Sequence, residues 1–231
     1  MINKTIKLII AGVILTLSTS AYALAGEGKF NGFYGGINYS SIKSSGTALS
    51  QGPTALWETP GTSTSYSKTK DAIGGQVGYQ TTFNSGLLVG AELAYTAYQA
   101  SGVTQSPTYA WHKNELTVKN IVSLSGRVGY VYNSWLVYGK AGVSEANIQF
   151  RGVDVGFPQN YYILSKNQFA ANLGVGAEYC FDFNVSLGVE YSHIDWGSFS
   201  GIAGAQVPVS TSAFGIKAKS DITSIRLNYL F

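Results

Sequence analysis

Cysteine occurs once in the 231 residues, as Cys180, so no disulfide can close within the chain. Histidine occurs twice, as His112 and His193, and neither has a second histidine or a cysteine at ligand spacing, which makes a metal signal weak. Charge is scarce: Asp, Glu, Lys and Arg make up 12% of the residues, about half the share usual in soluble domains. The formal net charge is +3 and becomes +1 without Lys4 and Lys7, so nothing marks a nucleic-acid-binding face. Past the first 25 residues there is no long apolar run, which excludes helical membrane spans. Gly174-Val175-Gly176 lacks the third glycine and the following helix of a dinucleotide loop. What is abundant is glycine, with 28 residues, and tyrosine, with 16.

The N-terminus reads as a secretory signal peptide: Lys4 and Lys7, then the apolar run Leu8 to Leu17, then small-x-small sites at Ala21-Tyr22-Ala23 and Ala23-Leu24-Ala25. The expected leader is residues 1–23, with cleavage after residue 25 as the alternative. Glu27 stands where a lipoprotein box would need cysteine. Residues 24–231 are expected to form one domain.

At the other end, Phe231, Tyr229, Leu227, Ile225 and Thr223 share one face of an alternating segment. Leu230, Asn228, Arg226 and Ser224 share the other. Period two means a β-strand with an oily and a polar side, and closing a barrel is the arrangement that leaves no sticky edge. Seven more alternating segments precede it, beginning near Phe30, Asp71, Leu87, Glu115, Trp135, Ser165 and Val185. Tight turns are expected at Asn84-Ser85-Gly86, Asn133-Ser134 and Asp182-Phe183-Asn184. Long loops are expected from Ser44 to about Lys68, Ser101 to Glu115, Phe150 to Ser165 and Ser198 to Ala218. The order of long loop and short turn repeats without a break, as in bacterial membrane barrels with short periplasmic turns and longer extracellular loops. Aliphatic residues fall on the outward parity and Glu and Arg on the crowded inward one, opposite to a soluble lipocalin-like barrel. Phe83, Tyr132, Trp135, Phe181, Phe183 and Phe231 would make the lower aromatic girdle, and Tyr95, Tyr191 and Trp196 the upper.

The final strand with its aromatic pair resembles the C-terminal strand of bacterial outer-membrane β-barrels. Across residues 24–231 the chain resembles the small barrels that include the OmpA transmembrane domain, opacity-type adhesins and porin-like surface antigens. The resemblance implies an all-β fold, an eight-stranded antiparallel up-and-down transmembrane barrel in the bacterial outer membrane, with both termini periplasmic. It also implies that Phe231, with Tyr229, is the signal read by the barrel-assembly machinery. The resemblance to full-length OmpA does not extend to its C-terminal periplasmic domain, so peptidoglycan binding is not expected.

Six inward charges fall at one depth, four to six residues from the nearest turn or terminus: Glu92, Arg127, Lys140, Glu178, Glu190 and Arg226. Three are negative and three positive. In a lumen only just wide enough for side chains to fill, buried charges must pair or cost several kcal/mol each, so a plugging belt is expected. The expected partners are Glu92 with Arg127, Glu190 with Arg226 and Glu178 with Lys140. The resemblance adds that the OmpA transmembrane domain carries an interior salt-bridge network.

Catalysis is not expected. Ser192 and His193 are adjacent on a strand and so point to opposite faces, which separates nucleophile from base although Asp195 is near. Tyr109, Trp111 and His112 are candidate ligand contacts in a loop. The expected function is a non-enzymatic envelope and surface-interaction barrel without cofactor. Its partners would be outer-membrane lipid and lipopolysaccharide, the assembly machinery and an extracellular or host ligand, with the protein itself monomeric. The alternatives are a small-solute porin and a haem or adhesin-type receptor.

Overall fold

The computed structural model describes residues 29–51, 59–106, 110–158, 161–181, 184–205 and 212–231, without the side chains of 202–205 and 212. The leader, Tyr109 and Phe183 lie outside these residues. Eight strands form one closed antiparallel barrel in which each strand pairs with its chain neighbours and the last with the first. They are β1 (Gly32–Ser50), β2 (Ser63–Thr82), β3 (Leu87–Gln105), β4 (His112–Tyr132), β5 (Trp135–Asp154), β6 (Tyr161–Cys180), β7 (Val185–Ala205) and β8 (Ser212–Leu230). The turns expected at Asn84-Ser85-Gly86 and Asn133-Ser134 are in place, while Asp182 of the third, like Phe183, lies outside the described residues. Asn133 and Asn184, with φ of 54° and 58°, and Gly86, with φ of 82°, supply the left-handed residues of the three tight ends.

Near these turns the alternation works as the sequence indicates. Ile37, Ile73, Val128, Val137, Leu173, Val189 and Ile225 face outward and are more than half exposed, while Gln76, Gln80, Asn172, Ser186 and Asn228 are buried inside. Tyr132, Trp135, Phe181 and Phe231 ring the turn end, and Tyr95 and Tyr191 mark the far edge of the apolar band. Trp196 does not join that upper girdle. It is 1% exposed, points into the barrel and donates from Nε1 to Ser220 Oγ at 2.9 Å. Its even number gives it the inward parity of Glu190 and Ser192, which outweighs the preference of indole for an interface.

The strands run well beyond the apolar band, and most of each expected long loop is strand. At about 3.3 Å per residue and a tilt near 40°, 19–21 residues rise about 50 Å, whereas an outward apolar band is about 25 Å tall. Above the band the two faces exchange character. On β1, Ser41, Lys43, Ser45 and Thr47 are outward while Ile42 and Ala48 are buried; on β5, Glu145, Asn147, Gln149 and Arg151 are outward while Ala146, Ile148 and Phe150 are buried. The rim half is thus a water-facing barrel around an oily core that also holds Tyr66, Leu116, Val118, Tyr162, Trp196 and Phe214.

Bulges adjust this half, and the β3–β4 register also shifts between Thr96 and Gln99. Asn120, with φ of 46°, is an extra residue in β4, and Gly197, with φ of 68°, marks the same irregularity in β7. Each moves the inward parity by one, so β4 buries Arg127, Ser125 and Ile121 below its bulge and Val118, Leu116 and Asn114 above it. The wall is also unevenly paired. The β2–β3 ladder stops at Ile73↔Ala97, although both strands continue to the rim. The β6–β7 ladder breaks between Ala171↔Asp195 and Ile163↔Gly204.

Candidate functional site

All six belt residues point into the lumen, and Glu92, Arg127, Glu178 and Arg226 are at most 3% exposed. Two further inward residues complete the belt: Tyr34 and Tyr138. Both have the inward parity and depth of the charges, which is the signal that finds them. Tyr34 donates to Glu92 Oε2 at 2.7 Å and accepts from Arg127 Nη1 at 2.8 Å. Tyr138 donates to Glu190 Oε2 at 2.8 Å, and its ring lies 3.9 Å from the Arg127 guanidinium carbon.

Glycine makes the room. A Cβ on Gly78 would stand 2.5 Å from the Tyr34 ring, and one on Gly176 would stand 2.5 Å from the Tyr138 ring. The small neighbour therefore lets each large side chain lie across the wall.

The pairing differs in part from expectation. Arg226 does reach Glu190, and it also bridges to Glu92, donating from Nη1 to Oε1 at 3.1 Å. Arg127 and Glu92 approach only to 3.7 Å; the close partner of Arg127 is Glu178, at 2.6 Å. Lys140 does not pair with Glu178. It joins Glu190 at 2.5 Å and Glu92 at 3.5 Å. The reason is reach. Glu178 pairs with Leu136 on the adjacent strand, two residues nearer the turn than the Glu190 row, and is held by Ser186 Oγ at 3.0 Å and Asn228 Nδ2 at 3.1 Å. Side chains on an eight-stranded wall reach across the lumen as readily as along it.

Every carboxylate thus has at least one cation, and the six formal charges cancel. That is the arrangement in which buried ions are tolerated, since a lone one costs several kcal/mol. Below the belt lie Phe30, Leu88, Leu136, Cys180 and Leu230, and above it the oily rim core begins. Cys180 fills space there, with its thiol 3.8 Å from the Lys29 carbonyl oxygen. Between belt and rim core is a cavity of about 40 Å³, lined by Asn38, Thr96, Ser123, Asn172, Ser192 and Arg226. That is room for a few waters.

The other candidates lie apart from the belt. His112 opens β4 instead of lying in a loop; it is 6% exposed, and its ring stands 6.2 Å from that of Trp111, which is exposed. His193 is outward, as its parity requires, with Nδ1 2.7 Å from Asp221 Oδ1, where Tyr191 also donates at 2.8 Å. Ser192 is buried on the other face, so this is not a nucleophile–base pair. No group of three or more His, Cys, Asp or Glu among the described residues is placed to hold a metal ion.

Tyr229 and Phe231 stack edge to face at 5.1 Å on the outer surface, and Phe231 N–H bonds the Phe33 carbonyl at 2.8 Å. The terminal ring makes little packing of its own, being 77% exposed. Deleting Phe231 is therefore expected to slow insertion while leaving the melting point of the inserted fraction within a few degrees. Unchanged folded yield in outer-membrane fractions would remove the assembly role.

The fold has solved counterparts. OprG of Pseudomonas aeruginosa aligns with a TM-score of 0.56 at 9% identity, over 87% of this chain and 97% of that one. The outer membrane protease OmpT of Escherichia coli aligns with a TM-score of 0.55 at 11% identity, again over 87% and 97%. At such identities the likeness concerns the fold alone. No curated protein sequence matches. The family model described as outer membrane protein beta-barrel domain matches residues 9–220, and the chain belongs to that family of bacterial outer-membrane barrels.

Proposed function

We propose that the protein is a non-conducting, non-catalytic barrel that holds a rigid rim above the outer membrane for contact with molecules outside the cell. The single observation that carries this reading is the doubly closed lumen. A neutral ion-pair belt is stacked under an apolar rim core, with about 40 Å³ left between them. A porin would need a continuous polar path, and the rim core interrupts it. A hydrolase would need a base beside a nucleophile, and His193 and Ser192 face opposite ways. What is left for recognition is the tall water-facing wall and the loops, the parts on which variable function is usually carried.

In this reading the tight turns and both ends of the described chain are periplasmic and the rim is outside. A tag inserted between Gln51 and Pro60 should be labelled on intact cells, and one at Asn84-Ser85 only after lysis. Reversed labelling would overturn the orientation and with it the surface role.

A further inference from the structure

The glycines of the barrel wall are of two kinds. Several inward ones are required by their neighbours: a Cβ on Gly36, Gly78, Gly142 or Gly176 would come within 2.5 Å of another atom. Gly126 on β4 and Gly139 on β5 face outward and are exposed. A Cβ on either would meet nothing closer than 3.9 Å, and neither has a positive φ. Packing within the chain therefore gives no reason for glycine at these two positions. A glycine inside a strand weakens it, and often marks a place where a ligand comes close to the backbone. With Ala141 the two glycines floor a concavity of about 740 Å³ on the outer wall. Val128, Leu173 and Val175 flank it, and Tyr191 and His193 bound it on β7. It lies in the apolar band, where the filling chemistry is hydrocarbon.

The row of paired residues that crosses this groove climbs toward the rim. It runs through Gly126, Ala141, Leu173, His193, Asp221 and Lys43 on six successive strands. Gly126 and Ala141 stand seven residues from Asn133 and Ser134, His193 nine from Asn184, Asp221 ten from Phe231 and Lys43 eleven from Gly32. At about 3.3 Å per residue and a tilt near 40°, the rise is about 10 Å. The groove thus has an oily lower end and a polar upper one. At the upper end the acids are engaged. Asp221 accepts from Tyr191 and lies 2.7 Å from His193 Nδ1, and Asp195 accepts from the Gly197 N–H at 2.9 Å. Lys43 faces Asp221, and Lys219 lies between Asp195 and Ser45. Both lysines are exposed and make no hydrogen bond or close ion pair among the described residues. Beside them the outer wall of β1 and β2 is rich in hydroxyls: Ser41, Ser45, Thr47, Ser65, Ser67 and Thr69.

We infer that the β4–β7 groove, with Lys43 and Lys219 above it, is a binding site for one phosphorylated glycolipid of the outer leaflet. An acyl chain fills the groove, the head passes His193, phosphate meets the two lysines and the sugar lies against the hydroxyl wall. The chain gains nothing by leaving water, since its surroundings are already hydrocarbon; its gain is close packing on the glycine floor. Selectivity is in the head, through the cations. A second copy of the barrel would match the apolar floor and leave the lysines without anions. The choice of leaflet rests on the orientation proposed above, and the groove itself does not.

The test uses the full barrel in dodecyl maltoside with hexaacyl diphosphoryl lipid A as the probe, and native mass spectrometry counts the bound lipid. One equivalent should be retained, and phosphatidylglycerol should bind at least tenfold more weakly. The Gly126→Val, Gly139→Val variant should keep its melting point within a few degrees, because the added carbons meet open space, and should lose at least tenfold in lipid affinity. Ala141→Leu fills the same floor and gives the same reading if the double variant does not fold. Lys43→Gln, Lys219→Gln should lose a similar factor, and Lys113→Gln, Lys119→Gln on β4 should lose none. Unchanged binding by the filled groove, or by the variant without the two lysines, would overturn the site. Equal binding of the two lipids would overturn the glycolipid. A dimer without lipid that vanishes when the groove is filled would make this face an interface between copies instead. Reversed tag labelling on intact cells would defeat the surface reading and the choice of leaflet, whereas loss of groove-dependent binding defeats this proposal alone.

Discussion

Arg127→Ala should destabilise the barrel by about 3–5 kcal/mol, the usual penalty for stranding a buried charge. The Arg127 guanidinium meets Glu178 at 2.6 Å, Tyr34 at 2.8 Å and Gln80 at 3.3 Å, and it lies against the Tyr138 ring. Its loss leaves Glu178 with Ser186 and Asn228 as hydrogen-bond donors but without a cation. The double variant Arg127→Ala, Glu178→Ala should recover part of the loss, because neither charge is then left alone. Glu92→Ala should rescue Arg127→Ala less well, since Glu92 keeps Arg226 and Lys140. Urea midpoints of the four proteins in one detergent check this as a double-mutant cycle. Simply additive losses for Arg127 and Glu178 would remove their pairing as a source of stability.

Leu173→Arg is the second large effect. Leu173 is 62% exposed on the outer wall, in the row with Ala141 and His193. A cation on the lipid face costs about 2–4 kcal/mol near the midplane and falls to about 0–1 near the interface. The same change at Asn147, outward on β5 beyond the point where the faces exchange character, should cost less than about 1 kcal/mol by the same rule. Comparable losses at the two positions would mean that the apolar band is not where the exchange of faces puts it. Comparable tolerance would mean that the outer face of Leu173 does not meet lipid.

Why one half of the molecule was legible and the other was not follows from the same exchange. Near the turns the outward residues are large and oily and the inward ones polar or glycine, so runs such as Phe169 to Phe181 announce both strand and face. The depth of the charges from the turns was enough to pick out all six belt residues. Toward the rim the outward residues are Ser, Thr and Lys, and some inward ones are as small as Ser44, Gly46 and Ala48. Alternation persists there with little contrast, and a stretch such as Ser44 to Lys68 reads as loop. Asn120 and Gly197 then slip the parity in β4 and β7, which no composition signal marks. Partner choice within the belt was not legible either. Arg226 and Glu92 are 134 residues apart and meet across the lumen, and contacts of that kind depend on barrel radius and stagger more than on spacing along a strand.

The most direct test of the closed lumen is single-channel recording of the purified wild type in a planar bilayer beside Arg127→Ala at equal protein load. With belt and rim core in place, the wild type is expected to show no steady open level above the bare-bilayer baseline. Arg127→Ala should add brief, small openings as water reaches the stranded Glu178. A large, stable wild-type conductance, unchanged by loss of Arg127, would contradict the plug and establish a pore.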